Sequence, residues 1–304
     1  MHTFFEYSPE VKQALQNQKP ILALESTLIT HGLAFPHNLA TAMAAEKIVR
    51  EQNVTPATIA IMQGKIKIGL TQEELETLVQ DKNALKASKR DIPTALSKRL
   101  NAGTTVAATL FCAHHAGIKI FATGGIGGVH RGNQQDVSAD LIELAQTPMA
   151  VVCAGAKAIL DLARTLEFLE TFSVPIIGYR TTVLPAFYTT KTAHALPITI
   201  NDIATLATFL HIHWQLKMPS GVLIMNPIPT EDEIAADMIE PVIHQALMQA
   251  EKAQIQGKAI TPYLLNEIAK VTEGKSLQAN ISLIKNNIKL GAELAQKIHQ
   301  EMSC

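Results

Sequence analysis

The sequence predicts an α/β protein with three layers, in which helices cover both faces of a largely parallel central sheet. Three observations lead to this prediction. Short apolar runs alternate with longer helical patterns, the apolar runs are continuous as in strands buried on both faces, and no Pro/Gly/Ser-rich linker, repeat or low-complexity tract divides the chain. We therefore expect a single domain over residues 1–304.

The strands are predicted from the short apolar runs, most of which are bounded by glycine, proline or polar residues. Gln63 and Gly64 separate two of these runs. In chain order the predicted strands are ILALE (21–25), ATIAIM (57–62), KIKIGL (65–70), IKIFAT (118–123), MAVVCAG (149–155), VPIIGY (174–179) and SGVLIMNPIP (220–229).

The helices are predicted from longer patterns, several of which have start or stop signals. Thr71 is followed three residues later by Glu74, which is a capping-box pattern. Asn201 or Asp202 lies near the start of another helix, and Gly117 ends a third. The predicted helices are 38–53, 71–80, 104–117, 138–147, 156–172, 201–217 and, more approximately, 231–254, 261–272 and 278–302.

Composition and charge exclude several classes of protein. Hydrophobic residues make up 47% of the chain and charged residues 17%, which permits a large core and argues against disorder. The net charge of −1 provides no overall basic field for nucleic acid. No stretch of 18 residues lacks charged or strongly polar side chains, so no membrane span is expected, and the first residues lack the pattern of a secretion signal. The mean hydropathy of +0.13 weakly favours apolar surface buried between subunits.

The cysteines and histidines give no metal-ligand pattern. Cys112, Cys153 and Cys304 are odd in number and have no metal-ligand spacing, which predicts reduced thiols and a cytoplasmic protein. The pairs His114-His115 and His211/His213 lack a cysteine or carboxylate at zinc-site spacing. We interpret these histidines as surface or core residues.

Polar residues occur where ligands of α/β proteins bind, beyond the carboxyl ends of the strands. Glu25 follows four apolar residues, which would raise the pKa of its carboxyl group and suit it to proton transfer, although a structural cap is the alternative. Lys157 follows MAVVCAGA, and a lysine with apolar neighbours can react with carbonyls, although it could equally begin a helix and face water. The small residues 154–156 would leave room for a substrate. Lys86 and Asn226 are further candidates at such ends.

The stretch GGIGGVHRG (124–132) contains closely spaced glycines but matches neither the dinucleotide-binding nor the P-loop pattern. Its glycines either allow a tight turn or present backbone N–H groups to an anion beside His130 and Arg131. Asp136 and Asp140 would share one face if both lay on a helix. Asp136 could be a carboxylate that the dipole at a helix N-terminus favours. Alternatively, the two carboxylates with Ser138 and water could hold a hard cation such as Mg²⁺ or Mn²⁺.

Taken together, these segments resemble the pseudouridine-5′-phosphate glycosidase family, which also contains indigoidine-cluster A-type proteins. The resemblance covers nearly the whole chain. It is carried by the stretches ALESTLITHG, PATIAIMQGKIKIGL, KASKRDIP, GTTVAATLFCAHHAGIKIFATGGIGGVHRG, DVSADLIELAQTPMAVVCAGAKAILDLARTLEFLET, PAFYT, GVLIMNPIP, GKAITPYLL and SLQANISLIKNN.

The resemblance implies a reaction and a site. The expected reaction is reversible cleavage of the C–C glycosidic bond of pseudouridine 5′-phosphate to uracil and ribose 5-phosphate, through a ring-opened ribose and a lysine Schiff base. It implies Lys157 as nucleophile, Glu25 as proton donor, and Asp136 as ligand of one Mn²⁺ per subunit of a homotrimer. The implied substrate-binding residues are Lys86, Val106, His130, Ser138, Ala139, Asp140 and Asn280.

Three departures from the family pattern affect the expected substrate. Lys89 stands where the family has arginine, and a lysine could not make a bidentate contact with phosphate. The segment 130–136 is about two residues short, and the segment 180–194 is altered. Two alternative functions therefore stand beside the glycosidase: a Schiff-base enzyme for another ribosyl phosphate, and an inactive sugar-phosphate-binding protein.

Overall fold

The computed structural model describes residues 2–132, 135–255 and 257–302. Its strands are mostly short and apolar, and those in the middle of the sheet are fully buried. They are β1 Phe5–Tyr7, β2 Ile21–Leu24, β3 Thr55–Met62, β4 Lys65–Ile68, β5 Leu85–Ala87, β6 Ala102–Thr104, β7 Ile120–Ala122, β8 Val129–His130, β9 Ala150–Cys153, β10 Leu160–Asp161, β11 Ile176–Tyr179, β12 Ile198–Ile200 and β13 Val222–Met225.

The helices begin at side-chain caps in several places. Thr71 and Glu74 form the expected capping box, and Asp202 caps the helix for which Asn201 or Asp202 was expected. The helices are α1 Pro9–Gln16, α2 His37–Glu51, α3 Gln72–Gln80, α4 Ile92–Ser97, α5 Val106–His115, α6 Ala139–Gln146, α7 Leu162–Thr171, α8 Ile203–Gln215, α9 Ala236–Lys252, α10 Ile260–Val271 and α11 Lys275–Met302. Within the three described ranges, none of these helices is long and apolar enough to cross a membrane.

The main sheet has the strand order β1-β4-β3-β2-β7-β9-β13-β11-β12, and β6 pairs with both β3 and β5. The run from β3 through β12 is parallel, which confirms the predicted fold class. Antiparallel pairing occurs on the other side, where β3 pairs with β4 and β6. Gln63 and Gly64 connect β3 to β4 with φ of 51° and 81°, the left-handed pair that a two-residue hairpin requires.

Helix α11 covers the middle of the sheet and reaches the carboxyl ends of the strands. A Cβ on Gly291 would lie 3.1 Å from the Ala122 side chain, so glycine permits close packing of α11 on β7. Asn287 is fully buried, donates to the Thr123 carbonyl oxygen at 2.8 Å and accepts from Asn226 at 3.0 Å. These bonds fix the ends of β7 and β13 to α11.

Two local predictions were wrong, both next to the glycine-rich segment. The expected helix 156–172 begins only at Leu162, because the backbone of Lys157 donates to the Ile126 carbonyl oxygen and so pairs with the glycine segment instead. Asp136 lies before α6, whose N-cap is Ser138. Asp136 and Asp140 therefore do not share a helix face.

The thiols of Cys112 and Cys153 are free and buried. Burial raises the pKa of each thiol to about 12, so both are chemically inert at neutral pH. The third cysteine of the sequence, Cys304, lies outside the described residues.

Candidate functional site

A cavity of about 330 Å³ lies beyond the carboxyl ends of β2, β7 and β9. Its position is the one that open α/β sheets use for ligands. Asn226, a candidate from the strand ends, is not among its lining residues and donates to Asn287 instead. The ten residues that the family resemblance implies for the site all line this cavity, although their chemical roles stay predictions. They are Glu25, Lys86, Val106, His130, Asp136, Ser138, Ala139, Asp140, Lys157 and Asn280.

Lys157 reaches the cavity from the loop after β9. Its side chain is half-buried, and its Nζ donates to the Gly125 carbonyl oxygen at 2.7 Å. The amine is therefore held against the glycine-rich segment and is not directed into solvent. Lys157 also lies before the helix that begins at Leu162, so the alternative of a solvated lysine at a helix start is wrong. A ligand carbonyl in the cavity would meet this nitrogen.

The small residues before Lys157 serve the packing of the protein rather than the approach of a substrate. Ala154, Gly155 and Ala156 are buried. Gly155 has a φ of +90°, and a Cβ there would lie 2.2 Å from the Pro185 carbonyl oxygen. Glycine is thus required for the backbone turn that presents Lys157.

Glu25 faces the same cavity from the end of β2 and accepts a hydrogen bond from the hydroxyl of Thr123. Burial raises the pKa of the Glu25 carboxyl group, and this effect outweighs the opposing influence of Lys157, Thr123 and Lys86. Burial disfavours the charged form of a carboxyl group. The environment of Glu25 therefore favours a protonated acid close to a lysine amine.

Asp140 has a structural function in addition to its place in the cavity wall. One carboxylate oxygen accepts from the backbone N–H of Ala107 at 2.9 Å, and the other accepts from that of Gly127 at 2.8 Å. The carboxylate thereby joins the start of α5, the glycine-rich segment and α6. A Cβ at Gly127 would collide with Ser138 and Asp140, so glycine is required for this close approach.

The cations near the cavity have distinct roles. Burial lowers the pKa of His130, so its neutral form is favoured at physiological pH, although Asp136 opposes this effect. Arg131 does not line the cavity, because it binds Glu240 at 2.7 Å together with backbone carbonyls of the 158–160 segment. Lys86 and Arg90 remain as cations that line it.

Lys89, the first departure from the family pattern, points away from the cavity. Its Nζ lies 2.7 Å from the Glu143 carboxylate and 5.2 Å from the centre of the Phe111 ring. Lys89 therefore contributes no side chain to the cavity wall. In the second departure, the shortened segment, Asn133 and Gln134 lie outside the described residues.

The third departure, the segment 180–194, contributes Phe187 to the cavity wall. Phe187 is buried and has a φ of +66°, a conformation that is rare for a bulky residue and concentrates at functional sites. A Cβ on Gly125 would lie only 2.7 Å from the Phe187 ring, so glycine at position 125 permits this close contact. In the same segment, Thr190 donates to Glu233 through its backbone N–H and its hydroxyl.

Sequence reasoning missed several residues of the wall, because single hydroxyl, aromatic and aliphatic residues have no spacing signal. The positive φ of Phe187 is visible only in the structure. The residues of α10 reach the cavity through the tertiary packing of that helix, which no local sequence pattern encodes. The missed residues that line the cavity include Thr27, Leu28, His31, Ser88, Arg90, Thr105, Phe187, Thr261, Pro262 and Leu265.

Asn280 has an unused hydrogen-bond acceptor. The residue is only 5% exposed and lines the cavity from α11. Among the described residues nothing donates a hydrogen bond to its buried Oδ1. An unsatisfied buried acceptor costs about 1–3 kcal/mol, so a ligand that donates an N–H or O–H here would recover that energy.

The cavity could hold a hard cation only if water and substrate oxygens supplied most of its ligands. No group of three or more His, Cys, Asp or Glu side chains suited to a metal occurs in the part of the chain that the structure describes. Asp136 offers one half-buried carboxylate at the wall, while both oxygens of Asp140 are occupied by backbone N–H groups. Hard cations are also held by one or two carboxylates together with water and phosphate. Asp136 fits a Mn²⁺ ion bound in that way.

Known proteins are similar to this chain over nearly its whole length. Residues 10–297 match the family model described as indigoidine synthase A like protein. A protein named pseudouridine-5′-phosphate glycosidase from Caldanaerobacter subterraneus subsp. tengcongensis is 54% identical to this chain, and the match covers 99% of this chain and 98% of the relative. A protein of the same name from Geobacillus kaustophilus is 51% identical, and the match covers 98% of this chain and 100% of the relative.

Solved structures have the same fold. An indigoidine synthase A-like protein from Thermotoga maritima superposes with a TM-score of 0.91 at 33% identity, covering 98% of both chains. The prealnumycin C-glycosynthase AlnA, crystallised in complex with ribulose 5-phosphate, superposes with a TM-score of 0.90 at 37% identity, covering 99% of this chain and 98% of that one.

Proposed function

Because this chain belongs to the family of indigoidine synthase A-like proteins and pseudouridine-5′-phosphate glycosidases, we propose that it reversibly cleaves pseudouridine 5′-phosphate to uracil and ribose 5-phosphate. One observation carries the proposal. A carboxyl group whose neutral form is favoured, Glu25, and a half-buried lysine amine, Lys157, line one cavity together with phosphate-compatible cations.

The chemistry requires an electron sink, because a C–C glycosidic bond has no heteroatom leaving group. In the proposed reaction the Lys157 nitrogen bonds to C1′ as the C1′–O4′ bond breaks, which opens the ribose ring, and a proton of the amine passes to O4′. When the C–C bond breaks, the nitrogen lone pair forms the C=N bond of an imine, and the electrons of the broken bond leave with uracil. A proton from Glu25 completes the new C–H bond of uracil. Water then hydrolyses the imine, which releases ribose 5-phosphate and regenerates Lys157.

The wall of the cavity supplies groups for both parts of the substrate. Lys86 and Arg90 are cations suited to the phosphate. Asn280 Oδ1 is an acceptor suited to an N–H of uracil or a hydroxyl of the opened ribose. Phe187 provides an aromatic face near Gly125 and Lys157. Val106, His130, Ser138 and Ala139 complete the proposed substrate contacts.

We extend the proposal to one Mn²⁺ per subunit, held by Asp136 with water and substrate oxygens. When bound, the ion supplies positive charge that offsets the charge of the phosphate. We also propose a cytoplasmic homotrimer. Support comes from two buried, free thiols and from large apolar side chains that are exposed on the single chain, including Phe172, Ile212 and Leu216.

The proposal is tested in the direction of synthesis. The protein is incubated with uracil, ribose 5-phosphate and Mn²⁺, and pseudouridine 5′-phosphate is quantified by chromatography. We expect product from the wild type and none above background from Lys157→Ala. Folded, metal-loaded wild type that forms no product would refute the proposed function.

A second candidate is a Schiff-base enzyme that joins the same sugar phosphate to another aromatic acceptor. The favouring observation is the 37% identical C-glycosynthase, which was crystallised with ribulose 5-phosphate. Borohydride trapping of ribose 5-phosphate on Lys157, together with no product from uracil, would favour this candidate.

A further inference from the structure

Glu25 lines both the main cavity and a second, much smaller void of about 30 Å³. The void has three polar lining residues, Glu25, Thr58 and Thr123, and its other lining residues are apolar or glycine, from β2, β7, α2, α11 and the turns beside them. A water molecule needs about 10–15 Å³ and two to four polar partners. The void therefore has the size and the partners to hold an ordered water between Glu25 and Thr58.

Thr58 is oriented by a buried carboxylate on its far side. Its hydroxyl donates to Glu46 Oε1 at 2.7 Å, and Glu46 is only 8% exposed. Glu46 is in turn held by Arg50, whose guanidinium lies 3.0 Å from Oε2. Because a threonine hydroxyl has one hydrogen, Thr58 can only accept a hydrogen bond on the side that faces the void.

This orientation gives the chain of groups a single direction. A protonated Glu25 would donate to such a water, the water would donate to Thr58, and Thr58 donates to the Glu46 carboxylate. Thr123 already donates to Oε1 of Glu25, so Oε2 is the oxygen that could carry the proton and donate to the water. With a water in the void, Glu25, the water, Thr58 and Glu46 would form a continuous hydrogen-bonded path from the main cavity to α2.

We propose that this path is a proton relay that exchanges the proton of Glu25 with solvent through Glu46 while the main cavity is occupied. One proton shifts along each bond, so that protonated Glu25 and ionised Glu46 become ionised Glu25 and protonated Glu46, and the reverse shift reloads Glu25. No other reactant is consumed. The inference rests on the proposed function, in which Glu25 must recover a proton after each cleavage. Substrate that fills the cavity would exclude the water otherwise available from that side.

Charged groups lie at both ends of the path. Lys157, Lys86 and Asp140 act on Glu25 from the main cavity. Arg50 faces Glu46, and Arg50 also binds Glu10 at 2.8 Å, near the protein surface. Glu46 is therefore the point at which the buried path meets groups in contact with solvent.

The relay is tested first at Thr58, with uracil release from pseudouridine 5′-phosphate as the assay. Thr58→Val removes the hydroxyl at nearly constant shape, and we expect kcat to fall at least about tenfold with KM within about twofold. Thr58→Ser keeps the hydroxyl and should restore kcat. Thr55→Val makes the same change on the same strand outside the void and should retain wild-type kcat.

Glu46→Gln provides a second test, with Glu10→Gln as the matched loss of an Arg50 ion pair. We expect Glu46→Gln alone to lower kcat and to shift the alkaline limb of its pH profile. The relay is refuted if Thr58→Val and Glu46→Gln keep the kcat and pH profile of the wild type. Inactive wild type would instead refute the proposed function.

A crystal structure at high resolution tests the water without any activity measurement. We expect one ordered water within hydrogen-bond distance of both Glu25 and Thr58. A void without ordered water would overturn the relay, whatever the enzyme catalyses.

Discussion

The carboxyl group of Glu25 is placed where its surroundings oppose ionisation, although a protein gains nothing in stability from such a placement. Burial raises its pKa, while the nearby Lys157 acts in the opposite direction without overcoming it. Ionisable groups with shifted pKa values concentrate at functional sites. The sequence predicted this environment from the apolar residues before Glu25, but it gave no signal for Thr123, which lies at the end of a different strand.

Replacement of Glu25 by glutamine should lower activity and raise stability. The folded-state pKa lies above the unfolded value of 4.5, so between these two values the folded state binds more protons and stability falls as pH rises. Below 4.5 both states are protonated, and the difference vanishes. We expect Glu25→Gln to gain roughly 1 kcal/mol at pH 8 and nothing at pH 4 in urea unfolding.

The same variant should lose at least about a hundredfold in kcat, since glutamine cannot donate the required proton. Thr123 can still donate to the amide oxygen, so the local structure should persist. A variant that is less stable than wild type at pH 8, or that keeps wild-type kcat, would contradict this role for Glu25.

At the scale of elements, the site depends on joints, which are side-chain hydrogen bonds that connect segments far apart in the chain. Asp140 joins α6 to the start of α5 and to the glycine-rich segment, and Asn287 joins α11 to the ends of β7 and β13. The sequence predicted most of these helices and strands from periodicity. It could not predict the joints, because a hydrogen bond between residues far apart in the chain leaves no local pattern.

Asp140→Asn should weaken the fold more than a surface change would. The amide nitrogen of asparagine would face a backbone N–H, so that two buried donors would meet without an acceptor, and each unsatisfied group costs about 1–3 kcal/mol. Urea unfolding measures this cost, with the exposed cap substitution Asp202→Asn as the control. Unchanged stability combined with a raised KM would instead make Asp140 purely a substrate ligand.

Gly155→Ala should be more damaging than Gly117→Ala, although both glycines have positive φ. A Cβ at position 117 meets open space, so the cost is backbone strain of about 1 kcal/mol. A Cβ at position 155 would overlap the Pro185 carbonyl oxygen and displace the loop that carries Lys157. Thermal unfolding and the synthesis assay should both distinguish the variants, and equal effects would contradict the packing role of Gly155.

For the whole molecule, the sequence predicted the layered fold and the edge of the sheet where the site lies. This was possible because buried parallel strands have continuous apolar sequences, and their carboxyl ends fix the position of Glu25 and Lys157. The local path of the chain after β9 was not predictable, since AKAILDL is compatible with a helix. Tertiary pairing of Lys157 with Ile126 overrides that preference.

The proposed trimer predicts the mass of the particle in solution. We expect light scattering to give three times the 33.0 kDa of one chain, in a single species. Exposed Phe172, Ile212 and Leu216 should not remain in water on a stable monomer. A mass of 33.0 kDa at micromolar concentration would contradict the trimer.

The identity of the nucleophile is the central claim, and borohydride trapping tests it most directly. The protein is incubated with ribose 5-phosphate, reduced with borohydride, digested and mapped by mass spectrometry, beside Lys157→Ala and Lys86→Ala. The account predicts a stable pentose phosphate adduct on Lys157 that is absent from Lys157→Ala. An adduct on Lys86, or no adduct on any lysine of the active wild type, would contradict it.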